Sequence, residues 1–300
     1  MVSLSIIAPT MNEPTAPKTI RDLIRAFGRS AEIIVVDKSS EANRRQLVKT
    51  GAKVIKQEST GYENALMDGF RAANGSIIST IDPDGTYSVE DFKRVVSAVR
   101  SGRADFVSGN RFGKLHEGAM TTSIALGNKF LTWLYRRLYK EEIHDVLSGS
   151  FAMTRKAFEA IRKEETYRAG TLFFEIELAR RGFKLIDIPI NYHPRVGSVS
   201  KISKAKPIYG MNIARHTIRF ARDYNPLLMF GSIGLIMILA GLIIGAFVLA
   251  NYLSTGALTE IGRALIAFML IVLGFLSILG GLLLDLLLRI EKELLRNRHD

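Results

Sequence analysis

At 300 residues, with 47% hydrophobic side chains and a mean hydropathy of +0.14, the chain is too apolar on average for a purely soluble enzyme. Zero cysteines exclude disulfides, thiolate catalysis and cysteine-ligated zinc. The formal net charge of +12 raises nucleic acid as a partner, but ten Lys and Arg residues between Lys201 and Arg298 flank two long apolar runs near the C-terminus, which points to a lipid surface instead.

Strand and helix signals alternate from the start. Leu4 to Pro9 reads as a first strand, closed by Pro9 and followed by polar Asn12 and Glu13. Helical spacing over Thr19 to Phe27 precedes a second strand, Glu32 to Asp37, which ends in an acid. A polar helix (Ser40 to Thr50), a short third strand (Ala52 to Ile55) and a helix opening at Gly61 follow. Ile77 to Ile81 is a β-branched run that stops at Asp82-Pro83-Asp84-Gly85. Val89 to Arg100 is an amphipathic helix, and Asp105 to Gly109 is a strand running into Asn110-Arg111-Phe112.

Beyond a loop of small residues at 118–122, a helix over Ile124 to Tyr139 carries the single tryptophan, Trp133, expected to pack against the core. Asp145 to Phe151 forms a turn before a short strand. In the helix Leu172 to Leu178, Glu175 sits among aromatics and is a functional candidate, because buried acids are rare unless paired or used; Glu177 is expected at the surface. Lys184 to Ile190 is a last strand, and the segment Asn191 to Lys201 follows it. His193 has no second histidine at metal-binding spacing and is read as structural.

This alternation predicts an α/β domain with a mostly parallel sheet and helices on both faces. In such sheets ligands collect at the carboxyl ends of strands, where Asp82 and Asp84 fall. Alternate residues of an extended chain point the same way, so both acids can face one cation. A D-P-D-G string is also ordinary turn chemistry. No G-x-G-x-x-G follows the first strand and no G-x-x-x-x-G-K-[ST] occurs, so a bound diphosphate would need a metal as counter-charge rather than a glycine-rich nest.

The C-terminal third reads differently. Residues 206–225 suit an amphipathic juxtamembrane helix, and 226–300 a transmembrane hairpin with spans at about 227–251 and 263–288 and a basic tail, each span long enough for a bilayer. Basic residues flank the hairpin at both ends, and only Glu260 and Arg263 mark its tip. The positive-inside bias then puts both termini and the active site in the cytoplasm of a multi-pass cell-membrane protein. The N-terminus lacks the pattern of a signal peptide, which agrees. Asp285 lies in the second span, where two readings stay open: pairing across an oligomer, or reaching the interface from near the cytoplasmic end.

Six pieces occur in a familiar order: Asn12-Glu13, Val35-Val36-Asp37, Asp82-x-Asp84-Gly-Thr-Tyr, Gly109-Asn-Arg111-Phe, Asp145-x-x-Ser148-Gly149, and Arg195-x-Gly197-Ser198-x-Ser200-Lys201. Together, over about residues 3 to 205, the chain resembles the polyprenyl-phosphate glycosyltransferases of glycosyltransferase family 2, of the dolichyl-phosphate mannosyltransferase and polyprenyl-phosphate glucosyltransferase type. The resemblance implies a Rossmann-like GT-A domain over residues 1–205 that uses a nucleotide sugar, a polyprenyl or dolichyl phosphate, and Mg2+ or Mn2+. It implies that Asp84 ligates the metal directly, with Asp82 on the ribose or in the metal shell, and that Pro9, Asn12, Glu13 and Asp37 hold the nucleoside. Arg111, Arg195, Ser200 and Lys201 are implied around both the acceptor phosphate and the donor diphosphate, with Ser148 at the acceptor phosphate. Lys201 has an alternative use as a membrane-surface charge.

Two departures sit at the donor pocket: Lys38 where the family commonly has a second Asp, and Thr86 where the mannosyltransferases show Gln. GDP-mannose, UDP-glucose and UDP-GlcNAc stay open as donors. Two rival readings remain: transfer to another membrane acceptor, and a catalytically inactive nucleotide-binding scaffold. Nucleic acid is not expected as a partner, and whether the chain forms a homo-oligomer is left open.

Overall fold

The computed structural model describes residues 3–58, 60–139, 141–162, 171–197, 226–257 and 260–296. The chain divides into two units, Met1–Tyr209 and Gly210–Asp300. In the first, seven strands make one sheet: β1 (Leu4–Thr10), β2 (Ala31–Asp37), β3 (Lys53–Lys56), β4 (Ile77–Thr80), β5 (Phe106–Leu115), β6 (Phe151–Thr154) and β7 (Leu185–Tyr192), in the order β3-β2-β1-β4-β6-β5-β7. All neighbours run parallel except β6, which is antiparallel to both β4 and β5. The sheet is therefore mostly parallel, as the sequence predicts.

Every residue of β1 is buried, as befits a central strand covered on both faces. On one face Leu4, Ile6 and Ala8 pack with Ile20 and Leu23 of α1 (Ala16–Phe27) and with Phe92, Val95 and Val99 of α4 (Val89–Arg100). On the other, Gly69 of α3 (Tyr62–Arg71) lies on Ile7 and Val36; a Cβ there would sit 2.4 Å from Ile7 Cγ2, so only glycine lets this helix come so close. Phe70 continues that layer into an aromatic cluster with Phe151, Phe158 and Phe174, its ring centroid 6.3, 5.5 and 5.6 Å from theirs. Between the β2 and β3 strands runs the short polar α2 (Glu41–Val48), which buries Leu47.

Four expectations are corrected. Pro9 does not close β1, which continues to Thr10. The Ile7 carbonyl accepts from Ile81 N, so by alternation the Pro9 nitrogen faces the β4 side, where that strand has already ended at Thr80, and no ladder bond is lost. β5 does not stop at Gly109 but runs to Leu115, through a register break against β7 between Asn110 and Lys114. Trp133, on α5 (Thr122–Tyr139), is 59% exposed instead of packed. Glu177, on α7 (Thr171–Arg180), is buried, not at the surface, and accepts from Arg180 and Arg181. A two-turn α6 (Arg155–Ile161) precedes α7.

In the second unit, α8 (Pro226–Thr255) and α9 (Ile261–Arg296) form an antiparallel hairpin. Both are long and apolar enough to cross a membrane, and 30 residues rise about 45 Å, more than a hydrocarbon core of ~30 Å requires. Gly234 and Gly241 of α8 bring the backbones together: a Cβ on either would lie 2.4 Å from the Gly274 carbonyl oxygen and 2.7 Å from that of Ala267, respectively. Ser277 Oγ donates to the Phe230 carbonyl across the pair at 2.8 Å. The predicted juxtamembrane helix, 206–225, falls outside the described residues, as do Ser200 and Lys201.

Candidate active site

The chain leaves β4 at Thr80 and places Ile81 to Thr86 beyond the carboxyl edge of the sheet. Gly85, at φ 80°, takes the left-handed turn that folds this segment back. Asp84 is 4% exposed. Its Oδ1 accepts from Thr86 N at 3.0 Å and from Thr86 Oγ1 at 2.6 Å, and its Oδ2 accepts from Arg195 Nε at 2.9 Å and from Arg195 Nη2. The hydroxyl at position 86, where the resembling mannosyltransferases carry Gln, thus fixes the orientation of the acid expected to bind metal.

Asp82, partly accessible, accepts from the Tyr62 hydroxyl at 2.9 Å. Removal from water and then the Asp84 charge push its pKa up to about 7, against the lowering pull of Tyr62, Arg195 and Arg111. Its carboxylate presses on Gly149, where a Cβ would lie 2.3 Å from Asp82 Oδ2. Two acids and two guanidiniums therefore share one electrostatic site at the strand ends. Among the described residues no group of three or more Asp, Glu, His or Cys side chains could hold a metal. The pair Asp82 and Asp84 nonetheless suits a hard cation that takes its remaining ligands from water and substrate phosphates. The Arg195 guanidinium occupies Asp84 Oδ2, so a metal cation at this carboxylate would compete with it.

Arg195 is delivered by the end of β7. Tyr192 bridges Tyr87, their rings meet edge-on at 5.2 Å, and His193 N donates to the Thr86 carbonyl at 2.9 Å. One residue earlier in β7, Asn191 donates its backbone N at 2.7 Å and its Nδ2 at 2.8 Å to Asp91 at the start of α4. The segment carrying Arg195 is thus stitched to the segment carrying Asp84.

Arg111 emerges from β5 into a buried pair with Asp145, Nε on Oδ2 at 2.6 Å and Nη2 on Oδ1 at 2.8 Å, while its backbone N also donates to Oδ2 at 3.0 Å. Burial works against its charge and Asp145 outweighs that cost, so it stays a cation, set 5.5 Å over the Tyr192 ring. Only Nη1 is left uncommitted to Asp145. Ser148 is buried, and its hydroxyl is taken up by Ser150 in a turn, so it shapes the loop that carries Gly149.

At the carboxyl ends of the first two strands, Asp37 ends β2 fully buried, with Oδ1 accepting from Ser39 N at 2.9 Å and Oδ2 from Arg44 Nε at 2.8 Å. Asn12, at φ 52°, ties the loop after β1 to the loop after β2: its Oδ1 accepts from Ser40 N at 2.9 Å and from Asn43 Nδ2 at 3.1 Å. Glu13 is buried and close enough to Arg195 to help hold its charge. Asp37, Asn12 and Glu13 therefore build the rim between the first two strands, with Pro9 beneath it in β1.

The family model for glycosyl transferase family 2 matches residues 5–162, just over half of the chain. The chain belongs to glycosyl transferase family 2. Glycosyltransferase AglJ of Haloferax volcanii is 28% identical over 97% of this chain and 95% of its own length. The dolichyl-phosphate hexose transferase of the same organism is 31% identical over 65% of this chain and 84% of its own length. Among solved structures, glucosyl-3-phosphoglycerate synthase from Mycobacterium tuberculosis, in complex with Mn2+, uridine diphosphate and glucosyl-3-phosphoglycerate, aligns over 72% of this chain and 79% of its own with a TM-score of 0.57. At 18% identity that likeness speaks for the fold alone.

As a family 2 glycosyltransferase, the protein carries site residues that sequence reasoning passed over. Tyr62 opens α3 and reaches Asp82 across the sheet edge; Asp145 stood in a quoted motif but without its role as the partner of Arg111. Glu175 is completely buried on α7, and neither of its carboxylate oxygens, nor the neighbouring Ser108 hydroxyl, makes a hydrogen bond within the described residues. Burial first, then the Asp145 and Asp187 charges, hold its pKa well above the ordinary value. These influences favour its protonated form, close to the Arg111–Asp145 pair.

Proposed function

We propose that this glycosyltransferase moves a sugar from a nucleotide sugar to a polyprenyl phosphate at the cytoplasmic face of the membrane that its hairpin spans. The observation that carries the reading is the meeting of Asp84, Asp82 and Arg195 at the strand ends, where a sugar diphosphate finds both a seat for a cation and a guanidinium. The names of the relatives support a lipid-linked acceptor, and the two apolar helices support a membrane location.

Asp84, oriented by Thr86, and Asp82, oriented by Tyr62, would hold Mg2+ or Mn2+. The bound cation supplies Lewis-acid neutralisation of the departing nucleotide diphosphate. Asp37, Asn12 and Glu13 frame the nucleoside above Pro9. Arg195, once drawn off Asp84, has the reach and charge to bind a phosphate, and Arg111 contributes a fixed positive field from its pair with Asp145. Ser200 and Lys201 lie next in the same segment and are assigned to the acceptor phosphate. Such a phosphate, with a second pKa of about 6, is largely ionised at neutral pH and attacks without a strong general base. The chain's task is then to hold two anions together against their repulsion, in a single inverting displacement.

The test is a purified full-length preparation incubated with polyprenyl phosphate, divalent cation and a panel of GDP- and UDP-sugars. A cation-dependent lipid-linked sugar with at least one donor is expected, and it should vanish in Asp84→Asn. Product formed only on a protein, diacylglycerol or polysaccharide acceptor would overturn the acceptor assignment, and no transfer at all would favour the scaffold.

A further inference from the structure

Helix α5 has two unlike faces. Asn128, Leu131, Thr132 and Tyr135 are buried against the catalytic unit, whereas Leu126, Phe130 and Trp133 stand 63%, 58% and 59% exposed. Their spacing of four and three residues puts them in one stripe, and the Phe130 and Trp133 rings stack at 5.9 Å. A helix on a water-facing surface carries polar residues there. Exposed Lys129, Arg136 and Arg137 border the stripe, and a depression of about 610 Å³ beside Trp133 is lined by Lys129, Arg136 and Arg137 together with Glu141 and Glu142.

We infer that this face of α5 is a membrane-contact surface whose partner is an anionic lipid bilayer, with Leu126, Phe130 and Trp133 entering the interface and Lys129, Arg136 and Arg137 on headgroup phosphates. Three observations select lipid. Aromatic and leucine side chains edged by Lys and Arg are the composition of helices that lie in the interfacial plane. The three cations outnumber the two acids beside the stripe, which gives the sign that attracts anionic headgroups. The hairpin of the same chain keeps a bilayer at hand. This inference rests on the membrane reading proposed above, and it adds a second contact outside the hairpin, next to the loop that leads to Asp145.

Trp133 is the chain's only tryptophan, so its fluorescence reports on α5 alone. The full chain is reconstituted into phosphatidylcholine vesicles with or without phosphatidylglycerol, with bromine on the acyl chains, and floated after an alkaline wash. The expected result is flotation together with blue-shifted Trp133 emission that bromolipid quenches, more strongly with phosphatidylglycerol. Lys129→Gln, Arg136→Gln and Arg137→Gln should each weaken the contact about five-fold while the chain still floats. A floating chain whose Trp133 stays red-shifted and unquenched overturns this inference alone. So does blue-shifted emission without bromolipid quenching, which means that a second copy, or another segment of the chain, covers the stripe. A chain that does not float overturns the hairpin reading and this one with it.

Discussion

Asp84 has one oxygen committed to Thr86 and the other to Arg195, so its hold on a cation depends on a hydroxyl that orients it and a guanidinium that competes for it. Thr86→Val keeps the volume and removes the 2.6 Å bond to Oδ1. A hydrogen bond to a charged group contributes about 1.5–3 kcal/mol, shared between holding the metal-free site together and orienting Asp84 for the cation, so Tm should fall and Mn2+ affinity measured by titration calorimetry should fall by up to roughly ten- to a hundred-fold. Arg195→Gln removes the competitor and should raise Mn2+ affinity while lowering turnover; lowered affinity would show that Arg195 assembles the site instead. Glu175 gives the pH dependence. Its ordinary value is 4.5 and its folded value lies well above that, so between the two the folded state holds one more proton than the unfolded state. Stability then falls as pH rises through that window, by about 1.4 kcal/mol per unit. Glu175→Gln, which mimics the protonated acid, should remove this slope in denaturation curves taken from pH 5 upward. An unchanged slope would mean that Glu175 is ionised. At this scale the acids and Arg195 were readable because each lies in a compact local string. Tyr62 was not, because its partner is 20 residues away and only the sheet edge brings them together. The burial of Glu177 was hidden for the same reason, since its neighbours come from packing.

The elements do the placing. β7 ends in hydrogen bonds to Asp91 and in the Tyr87–Tyr192 contact, and these set where Arg195 leaves the sheet. Asp91→Ala strands the Asn191 amide and should cost about 1–3 kcal/mol, seen as a lower Tm. Because the freed end carries Arg195, kcat should fall further than stability loss alone explains at a temperature where the variant is fully folded. Unchanged kcat in the folded variant would show that the Tyr87–Tyr192 contact suffices. Strand and helix alternation was legible for almost every element, because β-branched runs and helical spacing are local signals. Strand ends were less so: the length of β5 depends on its partner β7, and Pro9 was tolerated in β1 because β4 stops early. The outward face of α5 was missed for a different reason. Its spacing is that of any amphipathic helix, and the sequence does not say which side meets the sheet.

Taken whole, the molecule joins a catalytic unit to a hairpin whose packing depends on backbone contact rather than on side-chain bulk. Lipid tails are as apolar as leucine, so helices in a bilayer gain most from close approach at small residues. Gly274 shows the dependence: a Cβ there would lie 2.6 Å from the Gly234 carbonyl oxygen, an atom that cannot move without moving the helix. Gly280, one and a half turns along the same helix, has nothing within 4 Å of its added Cβ. The two positions therefore predict opposite signs for the same chemical change. Gly280→Ala should leave the hairpin unchanged or firmer, since alanine is better than glycine in a helix by about 1 kcal/mol. Gly274→Ala gains the same propensity but must push the helices apart, an overpacking cost of about 1–3 kcal/mol. Thermal unfolding of the purified full chain in one detergent compares them directly, with a lower Tm expected for Gly274→Ala and for Gly234→Ala and no loss for Gly280→Ala. Equal Tm values for all three variants would mean that the helices do not meet at these glycines.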